Sequence, residues 1–471
     1  YLLVALVGIG AAFLLVPQFA RLPFWQPAMM ALVLLGMAVL IFSGLRPWHK
    51  VQIWRKATIT VLVTLLAIEG GFQLVAFGGL LPGAYDIAGL YTPYGRVYFS
   101  EEGFGNGVAN NFGWYYPNFR LEADSYRILI LGDTFIQGLQ VKPTQNVGVR
   151  LQTLLEQNQP EQNIEVLALG MPGFGHGLYL SLTRLEHAIQ VFKPDEIIVF
   201  FNLGSDFQAT TQPAGYDLYY LLEGGHARIH DDSFNYEHDL KHLIADGYDP
   251  IGNAAMLVGS HLLTPKIVRQ WLTGQAQAAQ PVGNEYDLPG FKGVVAKTRP
   301  FDQTHNIIDA VDLVAVPGKN NFMFETAGSQ RAEDALTVAT SLLHLAHDFA
   351  EIKGIELKVV TIPTFPPAFY TEFQGRAWQP ELGPYDLFKP ERALREFAET
   401  KGIPFLSMGE WLFEQGGPVE EIKSLYFRDG LGHFTPKGHA YFAESTFDCF
   451  YAGDESITVS AGQVSGISCL K

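Results

Sequence analysis

Residues 127–134 read Arg-Ile-Leu-Ile-Leu-Gly-Asp-Thr, and no other stretch of the chain constrains the fold as much. The four consecutive aliphatic residues Ile128 to Leu131 suit a strand covered on both faces, as in a parallel sheet. Gly132 and Asp133 then turn the chain, and Thr134 opens the element that follows. A hydroxyl so placed lies at the carboxyl end of a parallel strand beside a helix N-terminus, where open α/β sheets hold their ligands.

The pattern continues downstream. A helix is expected over 147–157 and a strand over 165–169. The loop Gly170-Met-Pro-Gly-Phe-Gly-His-Gly177 follows, then a helix to about residue 191 and a strongly apolar strand over 196–201. Residues 207–325 are polar, turn-rich and irregular apart from an amphipathic helix near 254–272, and read as an insertion over the sheet. A long helix at 331–353, a strand at 357–362, a helix at 390–401, a strand at 404–407 and a last helix after Thr435 complete the alternation. Nearly continuous apolar strands alternating with helices predict an α/β fold whose parallel sheet is covered on both faces.

The order of these blocks resembles the SGNH/GDSL family of ester hydrolases and acyl transferases, over roughly residues 110–450. The resemblance implies a flavodoxin-like, three-layer α/β domain over 126–453. In that family the residue after Gly-Asp is the serine nucleophile; here it is Thr134. Gly173 matches the glycine whose N–H donates to the oxyanion, and Asn202-Leu-Gly-Ser-Asp206 resembles the Gly-x-Asn-Asp block. That alignment puts Ser205 where the oxyanion asparagine would stand, with Asp133 and Asp206 as further positions lining the site. Asp429-Gly-Leu-Gly-His433 resembles the terminal block, with His433 as base and Asp429 as the acid that orients it. Their spacing is four residues, where the family has two or three.

Two departures bear on activity. Threonine is β-branched, so its methyl sits against the attacking oxygen. Loss of a side-chain oxyanion donor typically costs about 10²–10³ in rate. The resemblance therefore implies ester hydrolysis or O-acyl transfer on an envelope substrate such as an acylated glycan, weakened or lost. The alternative expectation is a non-catalytic structural or accessory subunit of a membrane complex.

The amino-terminal part adds a membrane. Residues 2–16, 28–45 and 57–80 are apolar runs, the third interrupted by Glu69, and predict about three transmembrane helices within 1–81. The first run is short for a span and the chain opens on Tyr1, so further N-terminal residues are expected. Arg46, Lys50, Arg55 and Lys56 lie between the second and third runs, whereas the first connection carries only Arg21. The positive-inside rule then places 46–56 in a bacterial cytoplasm and everything from about Pro82 outside the inner membrane. Residues 82–125 read as an extended lead-in and 454–471 as a tail. Expected partners are inner-membrane lipid, and membrane proteins met through the N-terminal helices and the aromatic insertion.

A net charge of −16 argues against a nucleic-acid surface. Cys449 and Cys469 are the only cysteines, either a staple for the tail or two free thiols. No cofactor is expected, because Gly170-x-x-Gly173-x-Gly175 lacks the order of the dinucleotide-binding fingerprint. His238 and His242 stand four residues apart and His226 and His230 precede them, but solvated polar residues are the commoner content of such an insertion, so no metal is assigned. His344 and His347 lie in a leucine- and alanine-rich helix and read as hydrogen-bonded packing, His176 as a pocket residue. The aromatic groups Trp114-Tyr115-Tyr116, Tyr219-Tyr220 and Phe369-Tyr370 read as core or interface rather than as a glycan platform.

Overall fold

The computed structural model describes residues 51–77, 93–100, 102–170, 182–203, 206–207, 220–223, 226–229, 263, 267, 323–324, 326–363, 381–382, 385–386, 388–415, 419–427, 432–452 and 469–470. The chain divides into two compact units, one of residues 1–118 with 246–284, the other of 119–245 with 285–471.

In the first unit, helix α1 (Val51–Phe77) precedes an antiparallel hairpin of β1 (Arg96–Phe99) and β2 (Gly105–Val108). The lead-in expected to be extended therefore contains a two-stranded hairpin. Ala76, Tyr98 and Leu263 form a buried cluster with Phe72, Phe104 and Ile267 against it, so part of the presumed insertion belongs to this unit. Glu69, the charge inside the third apolar run, accepts from the Leu263 backbone N–H at 2.8 Å and from the Gln73 amide, which in turn accepts from the buried Arg96. Among the described residues no helix is long and apolar enough to cross a membrane. Residues 1–50, with the first two runs, lie outside the described residues.

The second unit is built on a six-stranded sheet. Its strands in chain order are β3 (Tyr126–Gly132), β4 (Ile164–Gly170), β5 (Glu196–Asn202), β8 (Glu356–Ile362), β11 (Phe405–Leu406) and β12 (Cys469–Leu470). Two further hairpins stand apart from it: β6 (Tyr220–Glu223) with β7 (His226–Ile229), and β9 (Glu381–Leu382) with β10 (Tyr385–Asp386). The spatial order of the large sheet is β12-β11-β8-β5-β3-β4, with every pair parallel except β12 on β11. This is the expected α/β arrangement. β4 and β5 are buried along their whole length, in keeping with the apolar runs Val166–Leu169 and Ile197–Phe201 at their centres.

Helices α2 (Thr134–Gln137), α3 (Val147–Asn158), α4 (Leu182–Phe192), α5 (Gln330–Ile352), α6 (Lys389–Lys401), α7 (Met408–Gln415), α8 (Val419–Lys423) and α9 (Pro436–Phe450) belong to the same unit. α2 and α3 pack on β4, α9 on α3, and α5 and α7 on β8. At the amino ends of the strands, the buried Glu196 takes the Lys358 ammonium at 2.9 Å and the Tyr451 hydroxyl, fixing the end of α9 to the sheet. Cys449 and Cys469 are joined by a disulfide with 5.7 Å between their Cα atoms. Of the two readings of these cysteines the staple is the one found, and the tail returns to add an edge strand.

Candidate active site

The site begins with two glycines. Gly132 and Gly170 are paired at the carboxyl ends of β3 and β4. A Cβ on Gly170 would lie 2.0 Å from the backbone nitrogen of Gln137, and one on Gly132 would lie 2.3 Å from Ile136 Cγ1. Only glycine at both positions lets α2 fold down across the strand ends. Asp133 caps that helix from an extended conformation, its Oδ1 accepting from the Phe135 N–H at 2.9 Å. Gly138, at φ +63°, ends it after a single turn. Thr134 is thereby held half-buried at the first helical position.

The partner arrives from the other end of the chain. Thr435 caps α9 through the Gly438 N–H at 3.1 Å, with Pro436 at the first helical position. Just before it, Tyr426 and Phe434 form a β-bridge, the Phe427 N–H donates to the His433 carbonyl at 2.8 Å, and the Gly432 N–H donates to the Phe427 carbonyl at 2.9 Å. These bonds fix the His433 backbone. Its Nε2 lies 2.8 Å from Thr134 Oγ1. In a neutral imidazole with Nε2 as acceptor, the threonine hydroxyl donates, which is the arrangement a general base needs to take the proton as the oxygen attacks.

A second layer lies behind the hydroxyl. The Asn202 amide donates to Asp133 Oδ2 at 2.6 Å, and the Asn202 backbone N–H donates to Asp206 at 2.7 Å. All three side chains are buried. Burial first, and the Asp206 carboxylate second, push Asp133 up to about 7, against the Asn202 and Phe135 hydrogen bonds. On the other side of α2, the Asn146 amide donates to the Ile136 carbonyl at 2.7 Å, and buried His439 accepts from the Val147 N–H at 3.2 Å. Burial brings the His439 imidazole down to about 3, so it is neutral.

No protein-family model and no curated protein matches this chain.

Of the residues singled out in the sequence, Thr134, Asp133, Asp206 and His433 come to one place, at the carboxyl end of the sheet. Asp429, Gly173 and Ser205 lie outside the described residues, as do His230, His238 and His242. His344 and His347 both reach Asp348, at 3.1 and 3.3 Å, on the surface of α5. His347, Asp348 and Glu351 there bring their ligand atoms within 4.8 Å of one another. Sequence reasoning passed over Asn202, Phe135 and His439. Asn202 opens the Asn202-Leu-Gly-Ser-Asp206 block, in which Ser205 is the position aligned with the family's amide. Phe135 and His439 adjoin the two quoted motifs and carry no signal apart from that adjacency.

Proposed function

We propose that this protein is a membrane-anchored, extracytoplasmic hydrolase or acyl transferase of the SGNH/GDSL type, acting on an O-acylated envelope substrate. The observation that carries the reading is the 2.8 Å contact of Thr134 Oγ1 with His433 Nε2. Thr134 attacks the ester carbonyl, forming the new C–O bond, while its proton passes to His433 Nε2. The tetrahedral adduct collapses as His433 returns the proton to the departing alcohol. Water or an acceptor hydroxyl then attacks the acyl-threonine by the same route. Asp429 is assigned as the acid that orients His433, and Gly173 and Ser205, with the Thr134 N–H, as the oxyanion donors.

The disulfide supports an oxidising compartment, since such bonds are rare in the cytosol. Val63, Leu65, Ile68, Leu74 and Val75 of α1 are exposed, Leu74 by 75%, which suits a chain anchored through its N-terminal apolar runs better than one in free solution. The test is p-nitrophenyl acetate hydrolysis by detergent-purified full-length protein beside Thr134→Ala. Turnover abolished by alanine is the expected result. Equal rates from both would overturn it and favour the accessory-subunit reading, for which the extra methyl of Thr134 is the supporting observation.

A further inference from the structure

Phe135, the residue after Thr134, is half-buried, and its ring lies 4.8 Å from the His433 ring and 4.7 Å from that of Phe434. Phe434 is fully buried, with the Phe442 ring 4.0 Å, His439 5.4 Å and Tyr426 5.5 Å away. A continuous run of tilted and edge-on ring contacts thus leads from the interior beside α9 to the imidazole. The His433 backbone is already fixed at its carbonyl by the Phe427 N–H. Only two side-chain torsions remain to set where Nε2 points, and a ring held against the imidazole limits both. Phe135 is itself immobilised at the backbone, because its N–H donates to Asp133.

We infer that Phe135 is a positioning residue for His433, holding the imidazole in the rotamer that meets the Thr134 hydroxyl. This rests on the reading of His433 as the base. An aliphatic side chain there cannot present a flat face to the imidazole or the favourable tilted ring contact. It removes one ring contact that restrains the imidazole. Tyrosine keeps the ring and so keeps the function.

The experiment is diethyl pyrocarbonate labelling of His433, read by peptide mass spectrometry on full-length wild type, Phe135→Leu and Phe135→Tyr, with His347 of α5 as internal control. The inference expects His433 to label about tenfold faster in the leucine variant, His347 to be unchanged and tyrosine to restore the wild-type rate. Where turnover is present, kcat falls about 10- to 100-fold in Phe135→Leu with little change in KM. Unchanged His433 labelling in the leucine variant, or equal acceleration of His433 and His347, overturns it. Phe135→Met carries the same comparison if the leucine variant does not fold. Labelling needs no turnover. Selective exposure of His433 in a protein without esterase activity would therefore sink the hydrolase reading and leave the contact standing. Unaltered labelling in an active enzyme would do the reverse.

Discussion

The Asn202 side-chain amide donates to Asp133 Oδ2 at 2.6 Å, tying the end of β5 to the turn that carries Thr134. The acid it meets is buried beside a second acid and sits at about 7 rather than its ordinary 3.8. The folded chain therefore binds a proton between about 4 and about 7 that the unfolded chain does not, so this group's contribution to stability falls as pH rises through that window. Asp133→Asn removes the titration. Urea midpoints measured across the window should fall more steeply with rising pH in wild type than in the variant. Parallel profiles would count against a titrating Asp133.

His439 has the opposite sign. Its imidazole is held neutral, at about 3 against an ordinary 6.5, so the unfolded chain takes up the proton first as pH falls. Stability is lost from about pH 6.5 down toward about 3. His439→Gln, with a carbonyl able to accept from the Val147 N–H, should show a shallower acid limb in the same midpoint series. A limb as steep as wild type would mean that other groups control acid unfolding.

Gly170→Ala puts a methyl group where the Gln137 backbone nitrogen lies 2.0 Å away, and backbone does not yield as a side-chain tip does. The expected cost is about 1–3 kcal/mol, with α2 displaced from the strand ends. Thermal unfolding checks the first, and loss of any Thr134-dependent turnover the second. A variant with wild-type melting and turnover would show that α2 is not clamped in this way.

Much of the large sheet was legible, for a physical reason. Strands such as Ile128–Leu131 and Ile197–Phe201 are buried on both faces, and their unbroken apolar runs state this without reference to the rest of the chain. The hairpin at Arg96–Val108 was not legible, because its second strand reads Gly-Asn-Gly-Val and shows no apolar alternation. The disulfide depended on a fold that brings Cys469 back to the sheet edge, which local sequence does not encode. Thr134 and His433 were each named from local motifs, and their contact across 299 residues follows from the topology that brings both segments to the carboxyl end of the sheet. Asn202 was missed because its role is set by which atom faces Asp133, a matter of packing.

Removing one methyl group tests whether the bulk of Thr134 limits the proposed attack. Thr134→Ser relieves the crowding at the attacking oxygen while leaving the oxyanion donors as they are. Ester hydrolysis should rise by about tenfold if steric hindrance limits the attack. Steady-state kinetics on a short acyl ester checks this, and a serine variant no faster than threonine would put the limitation elsewhere.

The proposed reaction requires the Thr134 oxygen to form a bond to an acyl carbon with His433 as base. Rapid acid quench of the full-length protein after mixing with p-nitrophenyl acetate, followed by peptide mass spectrometry, tests it directly. An acetyl group is expected on the peptide carrying Thr134, absent from Thr134→Ala and strongly reduced in His433→Ala. Turnover that persists in both variants, or wild-type protein that carries no acetyl on that peptide and shows no hydrolysis, would contradict it.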